Sequence, residues 1–66
     1  MAILMNHVRK FRQRAGLSQD EIARAVGVSR QTIIAIERGN YTPSVALALR
    51  LSKLFGRSVE DLFYWT

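Results

Sequence analysis

The sequence predicts an all-α domain of five short helices, and three observations carry that expectation. A serine is followed three residues later by an acid at Ser18 and Glu21 and again at Ser58 and Asp61, the spacing of a capping box that starts a helix. Glycines fall where each helical apolar pattern runs out. No segment carries a strand signal.

The first helix is expected from about residue 5 to 14, where Leu4, Val8 and Phe11 form a helical stripe that Ala15 and Gly16 end. The second starts at the Ser18 cap and ends at Ala25, Val26 and Gly27, with Gly27 supplying the left-handed backbone that a sharp stop requires. Ser29 caps the third, its oxygen suited to accept from the amide of Gln31 or Thr32, and Gly39 offers the next stop. After a loop at 40–44, in which Pro43 fits a first helical position, Val45 to Phe55 is apolar enough to be a central buried helix closed by Gly56. The last helix starts at Ser58 and carries Val59, Leu62 and Phe63 inward.

The two helices within Ser18 to Gly39, joined by a tight glycine turn, make a helix-turn-helix, a shape that fits the DNA major groove. Ile22, Val26, Val28, Ile33 and Ile36 can share one interior, and Ala23 is small where two steeply crossed helices approach. Arg30, Gln31, Ile34, Ala35 and Arg38 are left on the solvent face of the second helix of the pair. Arginine and glutamine match the edges of guanine and adenine, and Arg30 and Gln31 occupy the first turn, the part that enters a groove. Ile34 and Ala35 are apolar on that outward face, which suits thymine methyl groups or packing against a neighbour.

The opening NHVRKFRQRAGLSQDEIA, the turn AVGVSRQTI, the close AIERGNYTPS and the tail LSKLFGRSVEDLF together resemble the Xre family of bacterial, archaeal and phage regulators, relatives of the lambdoid repressors and Cro proteins. The likeness spans roughly residues 6 to 63, and the motifs are specific jointly rather than singly. It implies a lambda-repressor-like five-helix fold with the helix-turn-helix at helices 2 and 3. It also implies phosphate contacts from Gln19, Ser29, Thr32, Arg38, Asn40 and Tyr41, with base contacts from Arg30, Gln31, Ile34 and Ala35. Thr32 equally suits support of the Ser29 cap, and Tyr41 could pack its ring over the fourth helix. Phage repressor relatives often carry a polar residue at the Ala35 position, so that base contact departs from their pattern. In the same relatives the positions of Arg12 and Glu37 form a buried ion pair between helix one and the recognition helix, which makes Arg12 structural.

With 66 residues the chain has room for one domain, which the likeness makes a single helix-turn-helix unit over 1–66, and a small core favours help from a partner subunit. There is no cysteine, and His7 alone builds no metal site, so no disulfide, metal or cofactor is expected. His7 is read as lying on the solvated face of helix one. Asp20 and Glu21, adjacent in a first helical turn, are caps and dipole partners rather than a catalytic pair, so no enzyme is expected. The apolar MAILM is too short for a membrane span or a signal peptide, and a cytoplasmic, nucleoid-associated location follows as the expectation.

The net charge of +5 suits a polyanionic partner, although Ser18 to Gly39 balances three bases with three acids while residues 1–17 hold Arg9, Lys10, Arg12 and Arg14 against none. Affinity for double-stranded DNA therefore rests on local placement of Arg30 and Arg38. Both ends are unusual. Residues 1–4 read as an apolar extension or an upstream start, and residues 64–66 as an apolar tail. Leu62, Phe63, Tyr64 and Trp65 exceed what a short last helix buries, so they are expected to form a homodimer interface, with help from Ile3 and Leu4. Alternatively, Tyr64 and Trp65 fold back over the core. The resulting expectation is a homodimeric, sequence-specific regulator, a repressor on a pseudo-palindromic operator, with no small-molecule effector and no membrane. The alternative is an antitoxin-like or coactivator-like protein-interaction module; RNA binding comes third because the aromatics form no stacking platform.

Overall fold

The computed structural model describes residues 2–66, so the part of the expected extension that falls on Met1 lies outside them. Five helices follow one another: α1 (Val8–Arg14), α2 (Gln19–Val26), α3 (Arg30–Glu37), α4 (Val45–Phe55) and α5 (Val59–Leu62). They are flanked by two strands, β1 (Leu4–Asn6) and β2 (Phe63–Trp65), and this corrects the all-α expectation.

The strands are antiparallel, with Leu4 opposite Trp65, Met5 opposite Tyr64 and Asn6 opposite Phe63. Bulky aromatics favour the extended backbone, and Phe63 already leaves α5 at φ −126° and ψ 135°. The His7 amide donates to the Leu62 carbonyl at 2.8 Å and the Thr66 amide to the Ile3 carbonyl at 3.0 Å, which extends the pairing on both sides. Leu4 and the tail are thus parts of one small sheet rather than loose ends. α1 accordingly starts three residues later than the apolar stripe suggests, and His7 sits at its N-terminal boundary.

Serine caps start the other four helices. Ser18 completes the expected box: its hydroxyl accepts from the Glu21 amide at 3.0 Å and its own amide donates to the Glu21 carboxylate at 2.9 Å. Ser29, Ser44 and Ser58 accept from the amides of Thr32, Leu47 and Asp61. Each such cap contributes about 1 kcal/mol. Pro43 is therefore not the first helical residue; Ser44 supplies the oxygen that an orphan amide needs, and proline stands just outside.

Val8, Ile22, Ile33, Ile36, Leu51 and Leu62 are fully buried, and Phe11, Leu17, Val28, Phe55 and Phe63 pack around them. Full burial of such a side chain contributes about 1.5–3 kcal/mol. Leu62 belongs to this core and is withdrawn from the interface expected at the tail, because α5 points it inward at 0% exposure. Conversely, α4 is not buried throughout: Val45 and Leu49, one turn apart, are 77% and 57% exposed. Among the described residues, no helix is long and apolar enough to cross a membrane.

Candidate nucleic-acid interface

The turn between α2 and α3 depends on Gly27, whose φ of +76° an L-residue adopts only at a cost of roughly 1–2 kcal/mol. A Cβ there would meet only the Arg50 side chain at 4.0 Å, so conformation rather than space selects glycine. Arg50 reaches from α4 to the Val26 carbonyl at 3.4 Å and steadies the same corner. At the other end of α3, the Gly39 amide donates to the Ile36 carbonyl and the Asn40 amide to the Ala35 carbonyl, both at 2.9 Å. This paired closure ends the helix sharply and turns Asn40 and Tyr41, both exposed, away from its axis.

Between these ends, Ile33 and Ile36 face the core while Arg30, Gln31 and Arg38 stand exposed and Ile34 and Ala35 half-buried. Beside α3, α1 and the start of α2 wall an open groove of about 740 Å³ whose rim carries Arg9, Arg12, Arg30 and Arg38. Asp20 and Glu37 are its acids. Arg12 and Glu37 answer each other: Nε lies 2.6 Å from Oε2 and Nη2 donates to Oε1 at 3.2 Å. Arg12 also donates to the Leu17 carbonyl at 3.2 Å. The Glu37 side chain is only 5% exposed, and the Gln19 amide donates to its Oε1 at 3.1 Å. One carboxylate at the end of α3 thereby ties that helix to both α1 and α2. Arg9 remains as a groove cation that the sequence pattern did not single out; it lies one helical turn before Arg12 on the same face.

Several side chains expected to touch phosphate are already engaged. Gln19 gives one amide hydrogen to Glu37 and keeps one. Ser29 and Thr32 share a hydroxyl hydrogen bond of 3.0 Å, and the Ser29 oxygen also takes the Thr32 amide. Tyr41 is exposed. At the strand pair, His7 is not solvated on α1 but stacked on Tyr64, with ring centres 4.7 Å apart. Tyr64 is half-buried in this stack and Phe63 against the core, while Trp65 stays 69% exposed. A further residue that the pattern missed is Asn6. Its Nδ2 donates to the Ile36 carbonyl at 2.8 Å and its Oδ1 accepts from the Val8 amide at 3.1 Å, so it fastens β1 to α3 while starting α1. An asparagine two residues ahead of the first turn of a helix was the signal for it.

The sequence profile of a helix-turn-helix family matches residues 8–62. The chain is 45% identical over 62 residues to the uncharacterized HTH-type transcriptional regulator MJ0272 of Methanocaldococcus jannaschii, covering 94% of each. It is 31% identical over 55 residues to the cryptic phage CTXphi transcriptional repressor RstR of Vibrio cholerae, covering 83% of this chain and half of that protein. Among solved structures, the restriction-modification controller protein C.AhdI from Aeromonas hydrophila superimposes with a TM-score of 0.77 at 27% identity, covering 83% of both chains. With this profile spanning α1 to α5 and relatives matched almost end to end, the chain belongs to the helix-turn-helix family of Xre-like, DNA-binding transcriptional regulators.

Proposed function

We propose that this protein is a sequence-specific binder of double-stranded DNA that represses transcription as a homodimer on a pseudo-palindromic operator. The observation that carries the reading is the outward face of α3, with Arg30 and Gln31 exposed in its first turn beside a groove rimmed by four arginines. In a major groove, Arg30 and Gln31 offer paired donors and acceptors to base edges, while Ile34 and Ala35 meet thymine methyl groups. Gln19 with its remaining amide hydrogen, Ser29 or Thr32 with one hydroxyl hydrogen, and Arg38, Asn40 and Tyr41 hold the phosphates on either side. Repression is the simplest consequence of occupying an operator, and RstR is a repressor by name. A DNA-bound regulator of this kind acts in the cytoplasm at the nucleoid.

Dimerisation is assigned to the strand end of the molecule. Trp65, Ile3 and Met5 are exposed there, and each strand of the sheet has an unpaired edge that a second copy can extend. Selection of bound sequences from random DNA, together with molecular mass in solution, tests both halves. An inverted pair of half-sites about 10 base pairs apart and a mass of two chains are expected. Failure to enrich any motif rejects sequence-specific recognition, and a monomer that binds a single half-site rejects the dimer.

A further inference from the structure

A second, smaller cleft lies on the far side of α1 from the nucleic-acid groove. Successive helical residues are turned by about 100°, so Arg9 and Arg12 face α3 while Phe11, Arg14 and Ala15 face the other way. The cleft, about 240 Å³, opens between the C-terminal ends of α1 and α4. Its floor is apolar, made by Phe11, Ala15, Leu54 and Phe55, with the two phenylalanine rings 6.2 Å apart. Its walls are Arg14 and Arg57, whose guanidinium carbons lie 5.8 and 5.1 Å from the centre of the same Phe11 ring.

Two like charges thus share one ring. Among the described residues neither has a carboxylate within ion-pair distance, since the two ion pairs are Arg12 with Glu37 and Arg24 with Asp20. An aromatic face attracts a cation only weakly at an exposed site, so the pair remains short of an anion.

We propose that this cleft docks an acidic, apolar segment of a protein partner. One aspartate or glutamate carboxylate bridges Arg14 and Arg57 through charge-assisted hydrogen bonds, and an adjoining leucine or phenylalanine side chain covers the floor. Charge complementarity selects the acid, and the floor selects a peptide over a nucleic acid. A phosphodiester gains nothing from apolar contact, and with the guanidinium groups over Phe11 the apolar side chain covers the rest of the floor, Ala15, Leu54 and Phe55. Because the cleft and the α3 groove lie on opposite faces of α1, both are open at once, and the docking does not depend on the operator reading.

The test is an NMR titration of the full ¹⁵N-labelled chain at low salt with three probes. These are a synthetic peptide alternating aspartate with leucine and phenylalanine, the same peptide with serine replacing leucine and phenylalanine, and inorganic polyphosphate. Saturable shifts at Phe11, Ala15, Leu54 and Arg57 with the first peptide are expected, together with at least a tenfold loss of affinity in the Arg14→Gln, Arg57→Gln double variant. DNA binding through α3 should be unchanged in that variant, which separates failure here from failure of the operator reading. Equal affinity for the serine peptide or polyphosphate overturns the proposal in favour of a plain basic patch, and shifts centred on α3 overturn it outright. The same shifts appearing on concentration without peptide assign the cleft to a second copy and also overturn it. Should the double variant unfold, Arg57→Lys keeps the charge without the planar fork, and an unchanged peptide affinity there is the overturning result.

Discussion

Arg30 and Arg38 stand at opposite ends of α3 and have different proposed contacts, so their loss should have different effects. Arg30 stands in the first turn of α3, so Arg30→Ala should cost about 1–3 kcal/mol on a selected site and far less on random DNA. Arg38 caps the end of the helix and is the proposed phosphate contact, so its loss should weaken both equally and lower the slope of log affinity against log salt by about 1. Binding isotherms at several salt concentrations read both outcomes, and an equal loss on the two DNAs for Arg30→Ala removes it from base recognition. Arg12 faces the same groove and has another role. Its partner Glu37 is nearly out of solvent, so Arg12→Met strands a buried carboxylate and should cost on the order of 3–5 kcal/mol in urea denaturation. A loss under 1 kcal/mol would mean that Gln19 alone satisfies Glu37.

At the level of the element, the start of α2 carries a pH dependence. The Ser18 amide first and then the Ser18 hydroxyl hold the Glu21 carboxyl below the usual glutamate range; desolvation opposes them by less, and the Arg24 charge adds the smallest lowering effect. A folded-state pKa below the unfolded one stabilises the fold at pH values above the unfolded pKa, and that contribution fades as pH falls through the folded value. The stability gap between the wild type and Glu21→Gln should therefore be constant near neutrality and shrink only below the ordinary glutamate range, as followed by thermal melts. A gap that ignores pH shows that the box does not use the charge. The capping box also explains how much of the fold the sequence reveals. Ser18, Ser29 and Ser58 act within three residues of their amide partners, so the starts of α2, α3 and α5 are readable locally. The outward face of α3 is readable for the same reason, since Ile33 and Ile36 alone fix which side turns inward. The strand pair is not, because three-residue strands at opposite ends of the chain gain their hydrogen bonds only once the helices bring them together. The Asn6 bond to Ile36, the Gln19 bond to Glu37 and the stack of His7 on Tyr64 are likewise products of tertiary approach.

The described residues measure 33 × 22 × 21 Å, about the length of one turn of B-DNA, roughly 34 Å, so on the proposed reading one copy addresses one groove face and a second the other half-site. Trp65→Ser should lower the mass in solution from two chains to one. It should weaken binding to an inverted pair of half-sites by about a hundredfold while leaving a lone half-site unaffected. A dimer that survives would move the interface to the exposed Val45 and Leu49 face of α4. The sheet that presents Trp65 also closes almost the whole chain into one loop, with Leu4 paired to Trp65 and Thr66 bonded to Ile3. Closing so long a loop costs entropy before any contact returns it, so this clasp belongs late on the folding route, after the helical core has condensed. Substitutions in the clasp that weaken the native state, such as Met5→Ser, should then leave refolding rates nearly unaltered and accelerate unfolding, a signature that stopped-flow chevrons would record. Local opening would likewise begin at the joined ends, releasing the clasp while α2 and α3 keep their crossing.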